Sequence, residues 1–120
     1  MNKVLIVDDE PNIIMSLEFL MKKNGYEVFI ARDGAEAIKI VDNEMPKVVV
    51  LDIMMPKVDG YEVCEYIKKE KQLDTQVIFL SAKGKESDIE KGYAAGADFY
   101  MTKPFSTKAL VQKVKELTNE

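Results

Sequence analysis

The chain has 120 residues, 47% hydrophobic and 32% charged, with a net charge of −4; this is the size of one domain with a real core and the balance of a soluble globular protein. No run of Lys and Arg offers contacts to a phosphate backbone, and no stretch nears the roughly 18 apolar residues of a membrane span, so direct nucleic-acid binding and membrane insertion are set aside. Histidine is absent, which removes the commonest general base and every His-dependent triad; the lone Cys64 forbids an internal disulfide and, with no signal-peptide layout, suits a reducing cytoplasm.

Val4-Leu5-Ile6-Val7 is a short, continuous apolar strand closed by Asp8-Asp9. Ile13, Ile14, Leu17, Leu20 and Met21 follow at helical spacing. Asp9 or Glu10 before Pro11 suits the start of that helix, and Asn24-Gly25 its end. Glu27 to Ala31 is the next strand. Asp33-Gly34 then turns into a helix with Ala37, Ile38 and Val41 inward. Val48-Val49-Val50-Leu51 reads as a strand buried on both faces, bounded by Pro46 and by Pro56 and Gly60, and it ends in Asp52. A helix carrying Val63, Cys64 and Ile67 on one face comes next. Gln76 to Leu80 forms the fourth strand and ends at Ser81-Ala82; Ser87 or Asp88 caps a helix that Gly96 terminates. Phe99-Tyr100-Met101-Thr102 is the fifth strand, ending at Lys103-Pro104, and Ser106 caps the last helix, with Leu110, Val111, Val114 and Leu117 facing in.

Strand and helix alternate five times, the pattern of a three-layer α/β sandwich built on a doubly wound parallel sheet. The expected strand order is 2-1-3-4-5, flavodoxin-like, with its switch point between strands one and three. That order sets Asp8 and Asp9 beside Asp52, with Ser81 and Lys103 next along the same edge. Taken singly, each has a plainer reading: Asp52 as the polar end of a buried strand, Asp8 and Asp9 as helix caps, Ser81 as a turn residue, Lys103 as a solvated strand end. Taken together, three carboxylates need neutralising, and a hard cation such as Mg²⁺ does so while leaving room for phosphate oxygens. An Asp nucleophile attacking phosphorus gives an aspartyl phosphate, with charge neutralised by Mg²⁺ and Lys103.

Four stretches, Val-Leu-Ile-Val-Asp8-Asp9-Glu-Pro, Val-Val-Val-Leu-Asp52-Ile-Met-Met-Pro-Lys-Val-Asp-Gly60, Phe-Leu-Ser81-Ala82 and Gly96-Ala-Asp-Phe-Tyr100-Met-Thr-Lys103-Pro104-Phe105, occur in this order. Together they resemble the CheY-like receiver domain of two-component response regulators, over residues 1–120. The resemblance implies that Asp52 is the phosphoacceptor. It also implies that Asp9, Asp52 and the Met54 backbone carbonyl ligate Mg²⁺, with Asp8 acting through water. Ser81 would bond the phosphoryl group, Lys103 would pair with it across a cis Lys103-Pro104 bond, and Tyr100 would swing inward to change the surface of the fourth helix, fifth strand and fifth helix. Met54 and Lys83 would flank the approach of water and so set the phosphoryl lifetime.

The implied partners are a histidine kinase or phosphotransfer protein as donor, an output domain or partner protein on the switched face, and a second copy in a phosphorylation-dependent dimer. The implied role is a switch and not an enzyme acting on outside substrates. Three positions depart from relatives with DNA-binding output domains. Phe99 replaces an Asp, and Lys113 and Lys115 replace arginines, which puts the inter-subunit ion pairs of that subfamily in doubt. Cys64 reads as an inert core thiol, Met54-Met55 as loop packing and Lys68 to Lys71 as a solvated helix end. The alternative function is a metal-dependent phosphatase with an aspartyl nucleophile, but Met54 stands where such enzymes carry a general acid. A flavin carrier would want a Gly-, Ser- or Thr-rich phosphate loop in place of Asp8-Asp9-Glu10-Pro11.

Overall fold

The structure, a computed structural model, describes residues 2–55 and 58–119. Pro56, one of the residues that bounds the third strand in the sequence, lies outside them. Strands β1 (Lys3–Val7), β2 (Glu27–Ala31), β3 (Val48–Leu51), β4 (Gln76–Ser81) and β5 (Phe99–Thr102) alternate with helices α1 (Pro11–Lys23), α2 (Gly34–Glu44), α3 (Gly60–Glu65), α4 (Glu86–Ala94) and α5 (Thr107–Thr118). The sheet is parallel throughout, in the expected order β2-β1-β3-β4-β5.

Alternation along each strand divides the core between two faces. Val4, Ile6, Val48, Val50, Ile78 and Leu80 face Leu17, Met21, Leu110 and Val114 of α1 and α5. Leu5, Val7, Val49, Leu51, Val77 and Phe79 face Ala37, Val41, Val63 and Ile67 on the α2 and α3 side. All four residues of β3 are buried, which is why its sequence is continuously apolar. At about 1.5–3 kcal/mol for each fully buried large apolar side chain, this central strand is a rigid base for whatever follows it.

Helix ends follow local chemistry, with two corrections to the sequence reading. Asp33, Asp59 and Ser106 each accept a backbone N–H in the first turn of α2, α3 and α5. Gly25 (φ +90°) and Gly96 (φ +108°) take the left-handed turns that follow α1 and α4. Neither Ser87 nor Asp88 caps α4: the helix starts at Glu86 behind Lys85, with no side-chain cap, and both residues lie in its first turns. An acidic first turn places charge favourably there without one. The segment after α3 is a solvated helix end at Lys69, Glu70 and Lys71, which are exposed, but not at Lys68, which is half-buried. Residues Tyr66–Glu70 widen into a π-helical stretch, where Lys68 donates to Asp98 (3.0 Å) and to the Thr75 carbonyl (3.1 Å). Lys69 reaches the Ala94 carbonyl at 2.6 Å. No helix among the described residues is long and apolar enough to cross a membrane.

Candidate functional site

Pairing in the sheet carries each candidate residue to one edge. The last register row of β1 and β3 is Val7 opposite Leu51, and the Asp52 N–H continues it by donating to the Val7 carbonyl at 2.9 Å. Asp8 donates likewise to Ala31 (3.2 Å), and Lys103 to Ser81 (2.8 Å). Strand ends one, three, four and five are therefore level, and their next side chains share a cleft.

Asp52 is 6% exposed at the floor of that cleft, its Oδ1 accepting the Ile53 N–H at 2.8 Å. Burial pushes its carboxyl above the ordinary 3.8; the Lys103 ammonium pulls it back and the Asp8 charge adds to the rise. The chain returns directly over this residue. A Cβ on Gly60 would stand 2.3 Å from the Asp52 carbonyl oxygen, so the start of α3 closes on the site only with glycine there. The sequence shows Gly60 as a turn residue and gives no hint of this approach.

Asp8 is 2% exposed. Its Oδ1 accepts the Glu10 N–H at 2.9 Å and its Oδ2 takes the Lys103 ammonium at 3.0 Å. That first bond ends at the residue before the helix: Glu10 holds the N-cap position of α1 with no side-chain bond, so neither Asp8 nor Asp9 caps it, and the other Asp8 oxygen serves the cleft. Asp9 is exposed. Oxygens of Asp8, Asp9 and Asp52 lie within 4.8 Å of one another. Two unit charges at that separation repel by about 3 kcal/mol at an effective dielectric near 20. Lys103 meets part of this, with Nζ also 3.2 Å from Glu10 and 3.8 Å from Asp52. Burial alone would lower the lysine, but the Asp8, Asp52 and Glu10 carboxylates outweigh it and hold the ammonium above 10.5. Glu10 as a Lys103 partner is absent from the sequence reading, because the two are far apart in the chain. One ammonium among four carboxylates leaves a strongly negative cleft. Its donors are all hard oxygens, with neither imidazole nor thiolate, which fits Mg²⁺ better than a softer metal.

Ser81 is fully buried, and its Oγ accepts the Lys83 N–H at 3.2 Å. Tyr100 lies inward, 5.8 Å from the Phe79 ring, with its hydroxyl donating to the Lys83 carbonyl at 2.6 Å. Burial, followed by nearby Tyr61, pushes this phenol up to about 12. The Lys103-Pro104 bond is cis, as expected. Met54 does not pack in its loop: it is 61% exposed and helps line a cavity of about 400 Å³ beside the cleft, together with Ile53, Met55, Tyr61, Lys83 and Lys91. A depression between Lys3, Glu44 and Thr75 lies at the opposite end of the sheet and shares none of these residues. Cys64 is the buried thiol expected, its Sγ 3.5 Å from the Ala95 carbonyl, and burial pushes it up to about 12. Two of the three departures, on β5 and α5, meet each other: the Lys113 ammonium lies 4.3 Å from the Phe99 ring centre and pairs with Glu116 at 3.2 Å.

Comparison with known proteins agrees with this fold. The family model for the response regulator receiver domain matches residues 4–115. The alkaline phosphatase synthesis transcriptional regulatory protein PhoP of Bacillus subtilis is 44% identical over 115 residues, covering 96% of this chain and 48% of that protein. The chain thus spans about half the length of this curated relative. Among solved structures, the receiver domain of Francisella response regulator 1452 superposes with a TM-score of 0.93 at 34% identity, covering 99% of this chain and 98% of that one. The BeF3-activated DrrB receiver domain gives 0.91 at 36% identity, covering 100% and 99%. By its family match, its relatives and its fold, the chain belongs to the receiver domains of two-component response regulators.

Proposed function

We propose that residues 1–120 work as a phosphorylation-driven switch, with Asp52 as phosphoacceptor. The observation that carries this is the convergence of three carboxylates and one half-buried ammonium at the ends of β1, β3 and β5. Asp9, Asp52 and the Met54 carbonyl would hold Mg²⁺, with Asp8 acting through water. When bound, Mg²⁺ neutralises charge on the phosphoryl oxygens. An Asp52 carboxylate oxygen attacks phosphorus; the bond from phosphorus to the donor's leaving atom breaks, and the donor keeps that electron pair. Lys103, held charged, stabilises the transferred group, and the Ser81 hydroxyl donates to it. A tetrahedral beryllofluoride group mimics a phosphoryl group, and its use to activate the DrrB relative supports the same chemistry here.

The donor in this reading is a histidine kinase or a histidine phosphotransfer protein in the cytoplasm. The switched face, α4, β5 and α5, meets an output domain or partner. With Phe99 covered by Lys113, a dimer there would not use the ion pairs of relatives with DNA-binding output. The chain would catalyse only its own phosphorylation and dephosphorylation. Apolar Met54 offers no proton where a phosphatase of this kind carries its general acid, which favours the switch over turnover of outside substrates.

Acetyl phosphate with Mg²⁺ should add one phosphoryl group by intact mass, and Mg²⁺ removal should abolish the gain. An Asp52→Asn protein that still gained it with the same metal dependence would overturn the assignment. Lifetime gives a second test. Met54 cannot order water by a good hydrogen bond, and charged Lys83 has no acceptor. Self-dephosphorylation is expected to be slow and to speed up severalfold, on the order of tenfold, in a Met54→Asn, Lys83→Glu double variant, as general acid–base effects allow. Decay followed by mass checks this, and an unchanged or slower rate would show that neither side chain sets the lifetime.

A further inference from the structure

Helix α4 rests on a row of rings and presents a glycine to them. Tyr61, Phe79 and Tyr100 lie side by side, with centroids 5.7 Å and 5.8 Å apart. Both end rings are tied to α4 or its approach: Tyr61 donates to the Asp88 carbonyl in the first turn of the helix at 3.3 Å, and Tyr100 to the Lys83 carbonyl before it at 2.6 Å. The Lys91 ammonium, from α4 itself, sits 4.4 Å from the Tyr61 ring centre. Gly92 is the buried residue of this helix, which otherwise has only half-buried or exposed positions.

Glycine inside a helix is less stable than alanine, and a helical backbone makes no use of its freedom. Space is the reason here. A Cβ at Gly92 would lie 2.8 Å and 3.0 Å from Tyr100 Cδ2 and Cε2, and 3.2 Å from Phe79 Cδ2. Phe79 is fully buried in the central layer and has nowhere to go. Tyr100 sits on β5, the edge strand, so its ring has an outward alternative at the sheet edge. The side chain that must yield is therefore Tyr100.

We propose that Gly92 is a positioning residue: its missing Cβ is the notch that admits the Tyr100 ring beneath α4, and so decides whether the Lys83 carbonyl beside the cleft is bonded. The functional weight of this rests on Tyr100 as the switch residue, but the notch itself is measured without any phosphoryl donor. Failure here is thus distinguishable from failure of Asp52 as phosphoacceptor.

The test uses the whole chain labelled with fluorotyrosine, with the Tyr100 fluorine resonance assigned by its loss in Tyr100→Phe. In the wild type, a soluble gadolinium chelate should barely relax this signal. In Gly92→Ala its relaxation should rise severalfold, toward that of Tyr93, which is 44% exposed. A folded Gly92→Ala protein with Tyr100 as protected as in the wild type would overturn the proposal. Thermal melts give a second reading that holds even if the single variant folds poorly. Gly92→Ala should lower the melting temperature beside Tyr100, yet leave it unchanged or raise it in a Tyr100→Ala background. Equal destabilisation in both backgrounds would place the clash on Phe79 and also overturn the proposal.

Discussion

Lys103→Ala is expected to lose about 2 kcal/mol of stability in metal-free buffer and to regain most of it in millimolar Mg²⁺. Removing one partner of a buried ion pair typically costs about 3–5 kcal/mol, because the other charge stays buried and unpaired; a pair that opens to solvent at one side costs less. Here the orphaned group is Asp8, 3.0 Å from the ammonium and 2% exposed, with Asp52 crowded beside it. A bound divalent cation replaces the lost positive charge, which explains the expected rescue. The same variant should still accept a phosphoryl group, but its partner binding should no longer respond, since no neutral side chain replaces a charge-assisted contact to the phosphoryl oxygens. Denaturant melts with and without Mg²⁺, and partner binding before and after phosphorylation, check both halves. Unchanged metal-free stability would show that Asp8 and Asp52 do not depend on the lysine.

Asp52→Asn should act in the opposite direction on stability while abolishing phosphorylation. The amide keeps the size of the side chain and an acceptor for the Ile53 N–H, and it removes a charge that burial and Asp8 both disfavour. The folded-state pKa of Asp52 lies above the unfolded 3.8, so the sign is determined. Below 3.8 the carboxyl is neutral in both states and the substitution changes little. As pH rises through the raised pKa, the folded state holds the proton that the unfolded state has released, and wild-type stability falls relative to the variant. The advantage of Asn should thus be absent in acid, grow through that window and then level off. Mg²⁺ should narrow it, because the variant lacks a ligand. Melting curves of both proteins from about pH 3 to about pH 8, with and without Mg²⁺, follow the difference. An advantage that grew as pH fell would contradict the assigned direction.

What was legible in the sequence was whatever is encoded over a few residues. The Val48–Leu51 run announces a strand buried on both faces, and alternation with helical stripes announces the parallel sheet. Parallel order then carries Asp8, Asp9, Asp52, Ser81 and Lys103 to one edge without further information. The contacts that no local pattern encodes join residues distant in the chain. Glu10 reaches Lys103 across 93 positions, and Lys68 reaches Asp98 across 30. No local pattern reports either one. The π-helical widening after α3 depends on where Lys71 finds its acceptor, the Tyr66 carbonyl at 2.9 Å. Cap preference favours Ser87 or Asp88 at the start of α4, whereas Lys85 holds the position without any side-chain bond. Gly60 and Gly92 look like turn or filler residues in the sequence, and only the neighbouring atoms show what a Cβ would strike.

The most direct measurement is chemical trapping of the modified residue. Borohydride reduces an aspartyl phosphate to homoserine, releasing phosphate, and leaves ordinary carboxylates untouched. After treatment with acetyl phosphate and Mg²⁺, then borohydride and proteolysis, peptide masses should place homoserine at position 52 and at no other acid. Without Mg²⁺ there should be none. Homoserine at Asp8 or Asp9, or its absence from a protein that had gained a phosphoryl group, would contradict Asp52 as the phosphoacceptor.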